Sequence, residues 1–269
     1  MKLIPLKRLI CCVAILLSIL PLISFTNNSN VAPYRIRTIV IDAGHGGKAA
    51  GATGKYSLEK NIALSVALKL GKVIQEQLPG VKVLYTRTTD VNVDFHERIG
   101  IANRAKADLF ISIHCNSMPA NLSTRTSTRG VETFVAGFGR INEQDVAIRE
   151  NADILLEKDY KDKYDGYDPN DPESMIVFSL MKNAFREQSI KLATCIQNEY
   201  VSSGRINRGV KEQNILVLQR AGMPAVLTEI GFISNPEEED YLNSETGQNE
   251  IAINIVKAIQ AYKKQVGDQ

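Results

Sequence analysis

The stretch RTIVIDAGHGG, residues 37–47, begins as a short apolar run and ends in a cluster of glycines around a histidine. An apolar run of this length that stops at a glycine is typical of a buried strand. The glycines do not match a phosphate-binding loop, because GHGG lacks the GxGxxG spacing and no GK[ST] follows. In open α/β sheets, functional groups gather at the carboxyl ends of strands. His45, one of only three histidines in the chain, therefore lies where a functional residue is expected.

The rest of the chain alternates between patterns typical of strands and of helices. Apolar runs predict further strands, at residues 81–87, 108–116, 130–138, 214–219 and 225–232. Helical spacing predicts helices, at residues 57–78, 94–105, 172 to about 203, and 247–266. This alternation predicts an α/β fold, with one domain built on a central, largely parallel sheet of about six strands flanked by helices.

Local signals predict where the helices begin. Ser57 is the expected N-cap of helix 57–78. Asp94, followed three residues later by Glu97, predicts a capping box at the start of the next helix. Pro172 has the residue type favoured at a first helical position.

Residues 140–173 differ in composition from the segments around them. INEQDVAIRENADILLEKDY (141–160) predicts a charged amphipathic helix, and KDKYDGYDPNDPES (161–174) predicts a loop. The predicted fold therefore includes a helical insertion at residues 141–173.

Residues 1–26 predict an export signal. Three basic residues precede an uncharged apolar run from Leu9 to Phe25, and polar residues follow it. The run is close to the minimum length of a membrane span, so the alternative is an uncleaved N-terminal anchor. In that case we expect the anchor to be the only part of the chain that contacts a membrane. Residues 27–36 are a predicted linker and 37–265 the predicted catalytic domain, in a protein exported to the periplasm or cell envelope.

The charge of the chain limits the classes of partner, and the positions of its cysteines indicate whether a disulfide is expected. Removing the three basic residues of 1–26 from the chain's 32 leaves 29, against 30 acidic residues. A nearly neutral body without a basic block argues against nucleic acid as a partner. Cys115 continues an apolar strand and Cys195 lies within a helical pattern, so we expect buried thiols rather than a disulfide.

Polar residues at the ends of three predicted strands meet at one edge of the sheet. His45 follows the first strand, His114 ends the run in FISIHCNS, and Glu229 interrupts AVLTEIGF. Glu59 lies at the start of the first helix, on the same side of the sheet as His45. Two imidazoles and a carboxylate are the ligand set of a catalytic zinc site with water in the fourth position. Glu229 would then act as general base and general acid.

Each assignment has a structural alternative. A histidine at a strand end is commonly a hydrogen-bonded structural residue, and Glu59 alone would complement the dipole of its helix. An unpaired carboxylate in a buried run is costly, which favours a functional role for Glu229. His96 lies on a polar helix face, and we expect it to be solvated. Further candidates for contact with the ligands or the substrate are Asp42, Asn116 and Ser117.

A series of motifs follows in order between about Arg37 and Lys263. They are IDAGHGG, EKNIAL, TRTTD, ERIGIANRAKADLFISIHCNS, VETFV, NRGVKEQNILVL and MPAVLTEIGFISNPEEEDYL. Each motif is weak by itself, but together they resemble the zinc-dependent N-acetylmuramoyl-L-alanine amidases of the type-3 amidase family.

The resemblance implies a site and a reaction. Glu229 matches the catalytic glutamate of the family, and one Zn²⁺ would be held by His45, Glu59 and His114. The implied reaction is hydrolysis of the amide between N-acetylmuramic acid and L-alanine in peptidoglycan, in cell-wall remodelling and daughter-cell separation. The chain departs from the family at Ala49 and Ala50, where an Asp-Pro pair is common. That departure concerns the stiffness of the loop after His45 and leaves the ligands intact.

The segment after the fourth strand resembles an insertion of the cell-division amidases in this family. In those enzymes an inserted helix covers the active site until a partner protein displaces it. The resemblance implies a lid within residues 141–173, with Glu150 as the zinc-capping residue, and a protein activator that displaces this segment. The alternative is a solvated surface excursion.

Two other functions fit part of the sequence. A zinc peptidase that cuts within the stem peptide would keep the metal site and change the bond cleaved. A metal-free peptidoglycan-binding or activator protein on the same fold needs no metal site, and the complete set of two histidines and two glutamates argues against it.

Overall fold

The computed structural model describes residues 35–137, 144–164, 166–168, 171 and 184–267. Its elements, with a 3₁₀ turn at Ala152–Leu156, are β1 (Thr38–Ala43), α1 (Glu59–Gln77), β2 (Lys82–Tyr85), α2 (Phe95–Arg104), β3 (Leu109–Asn116), β4 (Val131–Ala136), α3 (Asp145–Asn151), α4 (Tyr160–Lys163), α5 (Arg186–Ser202), β5 (Asn207–Gln213), α6 (Leu216–Gln219), β6 (Ala225–Phe232), α7 (Pro236–Asn243) and α8 (Glu245–Gly267). Strands and helices alternate along most of the chain, as the sequence pattern predicts.

The strands form one six-stranded sheet in the order β2-β1-β3-β6-β4-β5. β2, β1, β3 and β6 run parallel to one another. β4 pairs antiparallel with β6, with Glu132 opposite Glu229, and parallel with β5. The predicted α/β class and the largely parallel sheet are confirmed.

Helices cover both faces of the sheet, which explains why its central strands read as continuous apolar runs. Ile39 and Ile41 of β1 pack in one core cluster with residues of α1, α5 and α8. Val40 and Phe110 point to the other face, where α2 and α6 pack. Every residue of β3 and β6 is buried. The carboxyl ends of β1, β3 and β6 therefore meet at one edge of the sheet.

The strand predicted over residues 214–219 is wrong. Asn207–Gln213 forms strand β5, and Leu216–Gln219 forms the short helix α6. A short apolar run fits a buried helix as well as a buried strand, and all of α6 is buried. The sequence of β5, NRGVKEQ, is charged and has no apolar run, so the pattern did not predict a strand there. β5 lies at the edge of the described sheet, where charged side chains are common.

Neither predicted N-cap bond forms. α1 begins at Glu59, and the Ser57 hydroxyl donates instead to Glu239 Oε1 at 2.7 Å. Asp94 precedes α2 but makes no capping bond, and its carboxylate accepts a hydrogen bond from Lys163 Nζ at 2.7 Å. In both cases the polar side chain forms its hydrogen bond with a residue distant in sequence, and so does not cap the helix that the local pattern predicts.

The insertion is less helical than predicted. Residues 141–160 were predicted as one helix, but the structure has α3, the 3₁₀ turn and the start of α4. α3 ends where Asn151 turns inward and its amide donates to the Asn214 carbonyl at 2.8 Å. The predicted helix start at Pro172 lies outside the described residues. Helix α5 begins at Arg186, after a turn at residues 184–185, and ends at Ser202, close to the predicted end near Ser203.

Other predictions fall partly outside the described residues. Residues 1–26 and most of the predicted linker are among them. Within the part of the chain that is described, no helix has the length and apolar character needed to cross a membrane. Cys115 and Cys195 are free, buried thiols.

Helix α7 was not predicted, although Pro236 is a first-turn proline and Asn235 caps the helix by accepting two backbone N–H groups.

Candidate metal centre

His45 lies directly after β1 in a backbone conformation that few side chains adopt. Its φ is 57°, in the left-handed region, and its carbonyl accepts a hydrogen bond from Arg98 Nη2 at 2.6 Å. Gly44 before it has no room for a side chain, since an added Cβ would lie 2.4 Å from atoms of the His114 ring. The glycines therefore let β1 end against β3 closely enough for two imidazoles to meet, with ring centroids 4.8 Å apart.

Glu59 joins the two imidazoles from the first position of α1. Its Oε1 lies 3.0 Å from His114 Nδ1 and 3.1 Å from His45 Nε2, and the side chain is fully buried. The backbone N–H of Cys115 donates to Oε1 at 2.9 Å and that of Ala52 to Oε2 at 2.7 Å. The sequence-based prediction that these three side chains share one side of the sheet agrees with this arrangement.

Glu150, from α3 of the insertion, is the fourth member of the cluster. Its Oε2 lies 2.8 Å from His114 Nδ1 and 3.1 Å from His45 Nε2. One ligating atom from each of the four side chains lies within 4.8 Å of the others. A tetrahedral zinc site with metal–ligand bonds near 2 Å has ligand atoms about 3.3 Å apart, so the donor set fits a zinc ion in kind and in spacing.

Two buried atoms of this cluster lack hydrogen bonds. His45 Nε2 and Glu150 Oε2 have no hydrogen-bond partner among the described residues. A buried polar atom left in that state costs about 1–3 kcal/mol. A cation held between the four side chains would give both atoms a partner, which is a second sign that a metal ion fits.

The pKa values show how strongly the cluster attracts positive charge. Burial by itself lowers the pKa of His114, but the carboxylates of Glu150 and Glu59 outweigh it and raise the pKa to about 9. Burial raises the pKa of Glu59, but the His45 imidazole beside it lowers the value to about 2. The carboxylates therefore hold positive charge at the imidazoles, and a metal ion would take the place of these protons.

Glu229 lies beside the cluster, opposite His114 in the pairing of β6 with β3. It is fully buried, its Oε1 accepts from Arg149 Nη2 at 2.9 Å, and its Oε2 has no hydrogen-bond partner among the described residues. Burial raises its pKa well above the usual range, Arg149 lowers it, and the carboxylates of Glu150 and Glu59 raise it further. A carboxyl group with a raised pKa holds a proton more readily than an ordinary glutamate does.

Arg149 and Asp153, which the sequence analysis missed, also point into the site. Arg149 donates to Glu150 Oε1 at 2.8 Å and to Glu229 Oε1 at 2.9 Å. Asp153 Oδ2 lies 2.6 Å from His45 Nδ1. A carboxylate only accepts, so the proton of this pair lies on Nδ1 and Nε2 is left to face the cluster. Arg149 and Glu150 lie in α3 and Asp153 in the 3₁₀ turn that follows it. A charged helix shows this spacing whether it faces solvent or a buried site, so the sequence carries no signal that would have found Arg149 and Asp153.

Asp42 lies beneath the site and acts on it through Arg98. Its buried carboxylate accepts from Arg98 Nη1 at 2.7 Å, from Thr86 at 2.7 Å and from Ser112 at 2.6 Å. Arg98 in turn donates to the His45 carbonyl. The predicted contact between Asp42 and the ligands is therefore indirect, through the backbone of the histidine loop.

Asn116 and Ser117 lie on the Glu229 side of the site. Asn116 Oδ1 and the Ser117 carbonyl accept from Arg149 Nη1 at 3.0 and 3.2 Å. The Asn116 amide donates to Glu132 Oε1 at 2.8 Å. His96 lies elsewhere with 46% of its side chain exposed, which confirms the expectation that it is solvated.

The loop after His45 is closed without the Asp-Pro pair. Gly46 N donates to the Ala49 carbonyl at 2.8 Å, and Ala49 N donates back to the Gly46 carbonyl at 3.1 Å. Lys60 Nζ adds a bond to the Gly47 carbonyl at 2.9 Å. Backbone pairing and one lysine therefore stiffen the loop that contains alanines at residues 49 and 50.

Comparisons with known proteins show the family to which this chain belongs. The family described as N-acetylmuramoyl-L-alanine amidase matches residues 39–261. The amidase AmiC of Escherichia coli O6:H1 is 30% identical over 233 residues, which cover 83% of this chain and 52% of AmiC. This chain thus spans about half the length of that relative.

Two solved structures that resemble this chain are also amidases. An N-acetylmuramoyl-L-alanine amidase from Clostridium difficile 630 superposes with a TM-score of 0.62 at 26% identity, covering 85% of this chain and 97% of that one. The CwlD amidase of Clostridioides difficile, solved in complex with the GerS lipoprotein, has a TM-score of 0.61 at 27% identity, covering 85% and 99%. With the family matched over most of its length, this chain belongs to the N-acetylmuramoyl-L-alanine amidases, a family of hydrolases.

Proposed function

We propose that this chain hydrolyses the amide between the lactyl group of N-acetylmuramic acid and L-alanine in peptidoglycan, with one zinc ion per chain. The observation that carries the proposal is the convergence of His45, Glu59 and His114 on one point, with Glu229 beside His114 on the next strand. The family to which the chain belongs supports the choice of substrate.

His45, Glu59 and His114 are the proposed zinc ligands. Two imidazoles and one carboxylate leave one position of a tetrahedral site for water or substrate. When bound, zinc polarises a carbonyl oxygen and acidifies a water molecule. Asp153 and the backbone donors to Glu59 keep the ligand atoms turned inward.

Glu229 is the proposed proton carrier. It takes a proton from the attacking water as the new C–O bond forms, and gives it to the amide nitrogen as the C–N bond breaks. N-acetylmuramic acid then leaves with a free lactyl carboxylate, and the stem peptide leaves with a free L-alanine amino group. The position of Glu229 directly opposite His114 on the neighbouring strand supports this role.

The same site supports a closed, inactive arrangement in which α3 and the 3₁₀ turn form the lid. Glu150 takes the fourth ligand position, Arg149 binds Glu229, and Asp153 binds His45. Glu150 and Asn151 are buried, which favours the lid over a solvated surface excursion. Each charge-assisted hydrogen bond contributes about 1.5–3 kcal/mol, so opening needs a partner that binds the open arrangement better. The complex of CwlD with a lipoprotein supports a protein partner of this kind.

The test compares the full chain with a version lacking residues 141–173, each with zinc and with chelator, on purified peptidoglycan. We expect zinc-dependent release of peptides that begin with free L-alanine, faster from the shortened protein. Glu229→Gln in both backgrounds is the control that removes the proton carrier and keeps the proposed ligands. Release of peptides cut within the stem would favour the zinc peptidase. Binding of peptidoglycan without zinc and without products would favour the metal-free binding protein.

Export and a role in cell separation complete the proposal. Residues 1–26 would direct the chain to the periplasm or cell envelope, where its substrate is found, with 27–36 as linker and 37–265 as the catalytic domain. N-terminal sequencing of the protein recovered from cells distinguishes a cleaved signal from an anchor. Loss of the gene should leave daughter cells joined in chains if the enzyme acts in separation.

A further inference from the structure

The loop after β2 contains the motif TRTTD, residues 86–90, which has no part in the proposed reaction. This loop packs against the glycine-rich turn that follows β1. A Cβ added to Gly46 would clash with the Val91 carbonyl oxygen and would lie 2.9 Å from Arg87 Nε. The motif therefore lies directly against the backbone of the histidine loop, residues 43–47.

Arg87 is buried within this motif and joins two segments of the chain. It is 3% exposed, and its Nη2 donates to the Gly44 carbonyl and to the Lys60 carbonyl, at 2.7 Å each. Gly44 directly precedes His45, and Lys60 directly follows Glu59. One nitrogen atom therefore links the backbone beside two of the proposed zinc ligands.

Arg87 and Arg98 together bind three successive carbonyls of the histidine loop. The Ala43 carbonyl accepts from Arg87 Nε at 2.9 Å and from Arg98 Nη1 at 2.8 Å. The Gly44 carbonyl accepts from Arg87, and the His45 carbonyl accepts from Arg98. A left-handed φ such as the 57° of His45 persists in a residue other than glycine only where surrounding contacts hold it. The two guanidinium groups provide such contacts.

The charge of Arg87 does not account for its buried position. The carboxylate of Asp42 is paired with Arg98 at 2.7 Å, and no carboxylate of the described residues lies within ion-pair distance of Arg87. A buried cation without such a partner is costly, and it repels a metal ion held nearby. A guanidinium also offers five N–H donors in one plane, which lets it bind carbonyls from two segments at once. This geometry, rather than the charge, explains why an arginine is buried here.

Asp90, the last residue of the motif, forms a second link between the same two segments. Its Oδ1 accepts from the Gly47 N–H at 2.7 Å, and its Oδ2 accepts from Lys60 Nζ at 2.7 Å. Lys60 Nζ also donates to the Gly47 carbonyl at 2.9 Å. The motif thus fixes the histidine loop against the start of α1 at two points.

We infer that Arg87 is a positioning residue for the proposed zinc ligands, and that its guanidinium sets the distance between the segments that carry His45 and Glu59. This inference rests on the proposed zinc site. His45 Nε2 and Glu59 Oε1 lie 3.1 Å apart, close to the separation of about 3.3 Å between ligand atoms of a tetrahedral zinc ion. Without the guanidinium, the two segments lose the nitrogen atom that links their backbones. Arg87 acts only through the ligands, since its side chain donates to backbone carbonyls.

The test measures the zinc affinity of the full chain by competition with a chromophoric chelator. Arg87→Gln removes both the fork of donors and the charge, and we expect zinc to bind 10–100-fold more weakly, as is typical when a partner outside the ligand set is lost. Arg87→Lys keeps the charge but not the planar fork, so its affinity should also fall below that of the parent. If the charge of Arg87 were what mattered, Arg87→Gln would bind zinc more tightly and Arg87→Lys would match the parent. Either result overturns the inference.

Two further variants separate positioning from a loss of fold. Arg205→Lys changes another largely buried arginine, which donates to the Ile230 carbonyl at 3.1 Å and to Glu238 at 2.8 Å. It should lower the thermal unfolding temperature and leave the zinc affinity unchanged. Asp90→Ala removes the second link at a side chain that is 47% exposed, so this variant should fold even if the changes at Arg87 prevent folding. We expect Asp90→Ala to bind zinc about threefold more weakly, and an unchanged affinity would count against the clamp.

Hydrolysis of peptidoglycan, by the chain with and without residues 141–173, separates this inference from the proposed function. A parent that binds zinc and hydrolyses peptidoglycan, with equal zinc affinity in folded variants of Arg87, overturns the positioning role and leaves the proposed reaction standing. Weaker zinc binding by these variants, in a chain that hydrolyses nothing in either form, supports the positioning role and contradicts the proposed reaction. A parent that binds no zinc overturns both.

Discussion

Three neighbouring charged residues of the insertion each hold a different part of the site. Arg149 pairs with Glu229, Glu150 with the two imidazoles, and Asp153 with His45 alone. These residues are separated by one and three positions, so they leave the same side of a short helical segment. The contacts of this segment with the candidate metal site and with Glu229 therefore form or break together.

Replacing Glu150 should activate the full chain. Glu150→Ala removes the carboxylate proposed for the fourth ligand position and leaves the three proposed zinc ligands in place. We expect hydrolysis of peptidoglycan to rise by about tenfold or more, since one strong charged contact of the lid is lost. Rates of product release from the two proteins measure this, with Glu187→Ala, at an exposed position of α5, as the control. An unchanged or lower rate would contradict the lid.

Asp153 should contribute to zinc affinity without binding zinc. Asp153→Asn keeps the shape of the side chain but removes the charge that holds the proton on His45 Nδ1. Loss of such an outer partner typically lowers metal affinity 10–100-fold. Competition with a chromophoric chelator measures the affinity, and Asp162→Asn, on the exposed side of α4, is the control. Equal zinc affinity in all three proteins would mean that the lid is open in solution.

The site residues that lie in or directly after strands could be predicted from the sequence. His45, His114 and Glu229 interrupt or follow apolar strands, where a polar residue needs a reason. Arg149 and Asp153 could not be predicted as site residues, because a charged helix has the same sequence pattern whether its charges face solvent or a buried site. Only the packing of α3 against the strand ends distinguishes the two.

At the scale of elements, the site depends on how closely the ends of β1 and β3 approach. Gly44→Ala places a methyl group 2.4 Å from His114 ring atoms, so a strand end or an imidazole must shift. We expect a loss of about 1–3 kcal/mol in the free energy of unfolding, together with weaker zinc binding. Gly267→Ala, where a Cβ meets nothing within 4 Å, should stay within about 0.5 kcal/mol of the parent. Urea unfolding of both variants checks this, and equal stabilities would refute the close approach.

Helix α7 holds the loop before α1 through Glu239, and this contact should weaken in acid. Burial raises the pKa of Glu239, but hydrogen bonds from the backbone of Tyr56, Lys55 and Ser57 and from the Ser57 hydroxyl lower it overall. A lowered folded pKa means that the contact stabilises the fold above the usual carboxyl pKa, near 4.3, and is lost as pH falls through the folded value.

The expected result is a stability difference between the parent and Glu239→Gln that is largest at pH 7 and shrinks below about pH 4. Urea unfolding of both proteins at several pH values measures the difference. A gap that stays constant down to pH 3 would mean that the ionised carboxylate does not hold the loop.

Strongly apolar elements were predictable from the sequence, and elements defined by their neighbours were not. β6 occupies residues 225–232, as its apolar run predicts. β5 has no apolar run, because it lies at an edge and takes its conformation from pairing with β4. α6 was mistaken for a strand because four buried residues in a row carry no period.

At the scale of the whole molecule, alternation of strands and helices predicts the α/β class but not the strand order. β4 lies between β6 and β5 and runs antiparallel to β6, which only long-range contacts decide. That placement brings Glu132 directly opposite Glu229. The proposed ligands His45 and His114 and the proposed proton carrier Glu229 therefore all come from one sheet, and α3 lies against the same edge.

The proposed reaction adds water to the amide between N-acetylmuramic acid and L-alanine. The most direct measurement is hydrolysis of purified peptidoglycan in ¹⁸O-labelled water by the zinc-loaded full chain carrying Glu150→Ala, followed by mass spectrometry of the products. We expect one ¹⁸O atom in the lactyl carboxylate of N-acetylmuramic acid, no label in the peptide, and no products with chelator. Label in a carboxylate of the peptide, with muramic acid still attached to L-alanine, would contradict it.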